Sequence, residues 1–110
     1  MSHMTETAAS KVRYIDRRVK IILRDIQPET LSRENARYVS KVKLVLDEIR
    51  LDVRDYEYSQ TREEQVRWAK ITRHNLRALN ALLLRLDVVF SAADVAEVSA
   101  QIDSLHSLIK

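Results

Sequence analysis

Glycine and cysteine are both missing from this chain, and Pro28 is its only proline. Glycine supplies the positive φ angles that tight β-hairpins and phosphate-cradling loops use, so its absence argues against both. Without cysteine there is no disulfide framework and no thiol chemistry; this fits a reducing compartment, and a cytoplasmic location is expected. Aromatic residues are scarce, with one Trp, four Tyr and one Phe. No apolar run approaches the roughly 20 residues that span a bilayer. The stretch Ala81 to Leu84 is broken at once by Arg85 and Asp87. No secretory signal is visible at the start, and no membrane partner is expected.

What is present is helical. The 110 residues are 45% hydrophobic and 32% charged, the balance of one folded, well-solvated domain. Met1-Ser2-His3-Met4 reads as an expression-vector remnant, so residues 1–7 are expected to be a tag remnant and flexible N-terminus. Residues 8–110 are expected to form the domain. Four stripes recur at the three- and four-residue spacing of a helix face. They are Val12, Ile15, Val19, Ile22 and Ile26; Val39, Val42, Leu46, Ile49, Val53 and Tyr56; Leu76, Leu79, Leu83, Leu86 and Phe90, extended backward by Ala69 and Val66; and Val95, Val98, Ile102, Leu105 and Ile109. Pro28 closes the first and can open the second. Thr61-Arg62-Glu63-Glu64 matches a capping box, and Ser91 to Asp94 is a weaker form of it. The spacing therefore predicts helices over 8–26, 29–57, 62–89 and 92–109. With short connections, the fold class is all-α, an up-down-up-down antiparallel four-helix bundle with crossings near 20°.

Net charge is only +3, so distribution says more than the sum. Arg13, Arg17, Lys20 and Arg24 share one side of the first helix. Lys70, Arg73 and Arg77 do the same on the third, flanked by Arg67 and His74, and residues 67–77 contain no acid. Clustered cations of this kind suit phosphate, because each neutralised phosphate releases counterions. A solvated face, or one paired with a neighbouring acidic helix, would leave the same trace. Arg outnumbers Lys thirteen to six, which favours bidentate pairing with phosphate or carboxylate. In such a bundle helices one and three lie on a diagonal, so the two basic faces need not merge. Trp68 and Tyr58 lie off the apolar stripes and are the candidate interface residues, with Tyr38 and Tyr56 behind them.

Catalytic and metal patterns are weak. His74 and His106 sit alone on different helices, without the Glu-x-x-His pairs of a di-iron bundle. Asp103 and His106 are one isolated Asp-x-x-His. Arg67 and His74 have a spacing that resembles the catalytic pair of HEPN ribonucleases, but Trp68 stands where a polar residue usually follows the Arg. No Ser-His-Asp set and no paired catalytic carboxylates occur. The expectation is a protein that is not an enzyme, with no catalytic residue, no metal site and no cofactor.

The run Leu76-Arg77-Ala78-Leu79-Asn80-Ala81-Leu82-Leu83-Leu84-Arg85-Leu86, then Ser91 and a closing helix with Val98, Gln101-Ile102-Asp103 and Leu105, resembles a known family. It is similar to the third and fourth helices of the four-helix-bundle proteins encoded in 23S ribosomal RNA intervening sequences. Their relatives include the accessory variability determinant proteins of diversity-generating retroelements. Pro28 and the Leu-rich second helix also match. The layout covers residues 12–110 and the residue detail about 70–110. A departure is the end of the chain, Ser104 to Lys110, where the family often carries a Gly-Gly-Trp-type segment. The resemblance implies a non-enzymatic, ring-forming, nucleic-acid-binding accessory protein. It would be a homo-oligomer, pentameric in the retroelement branch, with structured RNA or DNA and a reverse transcriptase as partners. Leu76 to Asp87 also loosely resembles the last helix of BAG-domain cochaperones, with Thr72-Arg73 in place of their Arg-Lys pair. That alternative implies a protein-only helical interaction module, an adaptor or BAG-like cochaperone.

Overall fold

The computed structural model describes residues 7–109. Among them the chain forms α1 (Ala8–Arg24), a 3₁₀ turn (Pro28–Thr30), α2 (Arg33–Glu57), α3 (Arg62–Arg85) and α4 (Ala92–Leu108). There is no strand among the described residues, and no helix is long and apolar enough to cross a membrane. The expected all-α, up-down-up-down four-helix bundle is the architecture observed. Sequential helices pack as neighbours, α4 closes back onto α1, and α2 and α3 form the most extensive pair. Helices α1 and α3 therefore stand on a diagonal.

Each helix opens on a side-chain cap that satisfies otherwise orphaned N–H groups. Thr7 and Ser10 form a reciprocal capping box at α1, as do Ser91 and Asp94 at α4. Thr61 accepts from the Glu64 N–H at 3.1 Å. The Glu64 carboxylate, however, reaches the Gln60 N–H rather than that of Thr61. Thr7 thus belongs to the fold, whereas the expectation of a tag remnant in residues 1–6 lies outside the described residues.

Helix boundaries differ from the sequence expectation in four places. The second helix starts at Arg33, not 29, because Pro28 opens a separate 3₁₀ turn and Ser32 is the true cap, accepting from the Asn35 N–H at 3.0 Å. The first ends at Arg24, not 26, where the Asp25 and Ile26 N–H groups tighten onto the carbonyls of Ile22 and Leu23. The third ends at Arg85, not 89. Residues 86–90 turn so that Leu86 and Phe90 are both buried, with the Phe90 N–H on the Leu86 carbonyl at 2.8 Å. The fourth stops at Leu108, Ile109 being extended and buried.

The core follows the apolar stripes, though Val66 is exposed and Ile26, Val39, Tyr56 and Val95 are only half-buried. Leu23 is buried where Ile22 was expected, and Ile22 is half-buried. Thr72 fills the gap between Ala69 and Leu76, its hydroxyl donating to the Trp68 carbonyl at 2.7 Å. Leu76, Leu79, Leu83, Leu86 and Leu105 are fully buried, each contributing about 1.5–3 kcal/mol of hydrophobic stabilisation.

A polar pair crosses each of the four helix interfaces. Lys20 meets Asp47 between α1 and α2, and Asn75 donates to Asp52 between α2 and α3. Ser99 donates to Asn80 between α3 and α4, and Lys11 to Gln101 between α4 and α1. Apolar stripes tolerate slippage along a helix; the three part-buried hydrogen bonds, Asn75–Asp52, Ser99–Asn80 and Lys11–Gln101, favour one register.

Candidate nucleic-acid interface

Helix α1 divides its cations between two neighbours. On the α4 side, Arg18 pairs with Asp94 at 3.3 Å and with Glu97 at 3.4 Å, and Tyr14 donates to Glu97. That bond pushes the Tyr14 phenol up from its ordinary pKa. The acidic helix α4 is thereby matched to α1.

The α2 side is different. Arg13, Arg17 and Arg24 are exposed, and none of them forms an ion pair among the described residues. Lys20 alone is engaged, by Asp16 at 3.1 Å and Asp47 at 3.8 Å. Counted from the Lys20–Asp47 contact in an antiparallel pair, Arg24 corresponds to Lys43, Arg17 to Arg50 and Arg13 to Arg54; Arg13 and Arg54 line one cleft with Arg50. Lys43, Arg50 and Arg54 are exposed. The acids nearest Arg50 and Arg54 are Asp47 and Asp55, each at 3.8 Å in solvent-exposed pairs, which bind weakly.

The sequence reading missed Lys43, Arg50 and Arg54, because α2 carries equal numbers of acids and bases. Projected onto a helix at 100° per residue, Lys43, Arg50 and Arg54 fall on one side together with Asp47 and Glu57, while Glu48, Asp52 and Asp55 fall on another. That signal was present, but only the register with α1 gives it meaning.

The α3 set divides as well. Arg67, Lys70 and Arg77 are exposed, with Arg67 beside Thr61, Glu63 and Glu64. Arg73 is half-buried, and its Nη2 donates to the Ile109 carbonyl at 2.5 Å, a cation on the negative end of α4. It therefore has a structural role besides any ligand contact. His106 of α4 joins this group. Burial, then the charges of Arg77 and Arg73, hold its imidazole below the ordinary value, with Asp103 acting in the opposite direction. The α3–α4 edge lies opposite the α1–α2 edge, so within one subunit the two basic faces stay apart.

Of the expected interface residues, Tyr58 is 75% exposed and lines the cleft with Arg13, while Trp68 is half-buried. A separate open apolar groove of about 630 Å³ runs between α2 and α3, lined by Tyr38, Lys41, Leu44, Val45, Ala78, Ala81, Leu82 and Arg85. Leu44 is 60% exposed there, and Arg85 stacks on the Tyr38 ring at 5.7 Å. Among the described residues, no group of three or more His, Asp or Glu side chains is placed to hold a metal ion.

Compared with protein-family models, curated proteins and solved structures, the chain has no match.

Proposed function

We propose that this bundle is a non-enzymatic nucleic-acid-binding accessory protein that works as a homo-oligomer on structured RNA or DNA. The observation that carries the reading is the α1–α2 face. There Arg13 shares a cleft with Arg50 and Arg54, and Arg17, Arg24 and Lys43 are exposed on the same two helices, with Asp16, Asp47 and Glu57 as the acids among them. Like charges held across an interface cost stability unless a polyanion neutralises them. Arginine also suits the phosphate geometry.

Oligomerisation is supported by the open α2–α3 groove and by Leu84 and Val88, which are 61% and 67% exposed. Assembly into a ring would bring the α1–α2 and α3–α4 faces of successive subunits together, a route to one continuous positive surface. The retroelement part of the reading, with a reverse transcriptase as the protein partner, rests on the resemblance of residues 70–110 to the accessory variability determinant proteins.

The test is binding to hairpin RNA and duplex DNA at several salt concentrations, with light scattering on the same samples. Affinity falling with salt at a logarithmic slope of about −3 or steeper, as roughly four phosphate contacts require, supports the proposal when the particle is oligomeric. Absence of binding at low salt overturns it. A protein-only interaction module would then be favoured by one specific feature, the apolar α2–α3 groove.

A further inference from the structure

The cleft between the first turns of α1 and the last turns of α2 combines arginines, an apolar floor and an exposed aromatic ring. Its cationic wall is Arg13, Arg50 and Arg54, its floor is Ala9, Val12 and Val53, and Tyr58 stands at its edge. Its volume is about 300 Å³, the lower end of the range for small-ligand sites. Among the described residues, Glu57 is the one acid in the lining. The N-terminal end of α1 and the C-terminal end of α2 meet here, so their opposed dipoles cancel and the side chains decide the field.

From this arrangement we infer that the cleft holds one phosphate of a single-stranded nucleic acid, with its unpaired base stacked on Tyr58. The inference rests on the nucleic-acid reading above and narrows its substrate class. Three guanidiniums provide the charge and the planar donors for a phosphate. The apolar floor and the exposed tyrosine ring provide what a double helix cannot use, because its bases are stacked inside. An unpaired base has a free π-face, and stacking on an aromatic side chain is the common means by which proteins hold single strands. A carboxylate-bearing peptide would use the arginines but not the ring. Duplex would engage the outer ladder of Arg17, Arg24 and Lys43 and leave Tyr58 unused.

The experiment compares a fluorescently labelled single-stranded RNA with the same sequence as a duplex, by anisotropy at low salt. Tyr58→Ala is expected to weaken the single strand by about tenfold or more and to leave the duplex within twofold. Tyr58→Phe keeps the wild-type affinity, and Glu57→Gln tightens the strand. Replacing Arg50 and Arg54 together by Ala weakens it by at least tenfold, at unchanged helicity by circular dichroism, since both are exposed. A strand carrying 5-bromouridine is expected to cross-link to Tyr58 on irradiation. Duplex binding with an indifferent Tyr58→Ala variant and cross-links elsewhere overturns this inference and leaves the broader reading standing. No binding of either form overturns both.

Discussion

Lys20 reaches Asp47 across the α1–α2 interface at 3.8 Å, and the same carboxylate lies 3.8 Å from Arg50. Asp47 therefore holds down the positive field of that face. Asp47→Asn is expected to tighten nucleic-acid binding severalfold at low salt, with the gain fading as salt rises. The pair is exposed, so the change in stability should stay within about 1 kcal/mol. Weaker binding by the variant would contradict the role given to this face.

Asp52 presents a different case, buried between α2 and α3 with its carboxylate accepting from Asn75 at 2.6 Å. Burial, the largest effect, raises its pKa; the Asn75 bond lowers it, and Glu48 and Asp55 raise it further. A raised folded pKa means that the folded state binds more protons than the unfolded one between the ordinary value and the folded value. Stability at this site then falls as pH rises through that window and is level above it. Asp52→Asn removes this dependence and is expected to be at least as stable as wild type at neutral pH. Asp52→Ala, which orphans the Asn75 amide, costs about 1–3 kcal/mol. Chemical denaturation from pH 4 upward measures all three.

His106 moves the other way. Its imidazole is held below the usual value of 6.5 by burial and by Arg77 and Arg73. Below 6.5 the unfolded chain binds the proton and the folded one resists it, so this group costs stability on acidification. Arg77→Ala should raise the His106 pKa in an NMR titration. A phosphate bound beside Arg77 should raise it too, with proton uptake on binding. A His106 titration indifferent to saturating RNA would mean that the α3–α4 edge does not meet phosphate.

The helix starts can be tested by stability alone. Ser32→Ala is expected to cost about 1 kcal/mol through loss of the cap on Asn35, whereas Glu29→Ala, outside α2, should be near neutral. Leu79→Ala in the fully buried seam should cost about 2–5 kcal/mol. Thermal or urea melts distinguish the three.

The bundle was legible because its stripes are long and regular: Leu76 to Phe90 and Val98 to Ile109 bury where their spacing places them. Boundaries were less so. Pro28 looks like the start of a helix, and only the competing hydroxyl of Ser32 settles where α2 begins. Leu23 replaced Ile22 because two adjacent apolar residues fit the stripe almost equally well, and the packing of four helices chooses between them. Half of the α1–α2 face was visible in Arg13, Arg17 and Arg24. Its other half, Lys43, Arg50 and Arg54, was hidden in a helix of balanced charge, since facing pairs between helices depend on a register that no single stripe encodes. Arg73 gave no sign of its bond to Ile109, 36 residues away.

The most direct test of the nucleic-acid account reverses three exposed cations of the α1–α2 face together, Arg17, Arg24 and Arg50 each to Glu, and measures affinity for hairpin RNA at low salt. None of the three is buried, so the helical spectrum should be unchanged. The expected result is a loss of at least a hundredfold in affinity and a much shallower salt slope. Wild-type affinity in a folded triple variant would contradict the account and turn attention to the α2–α3 groove.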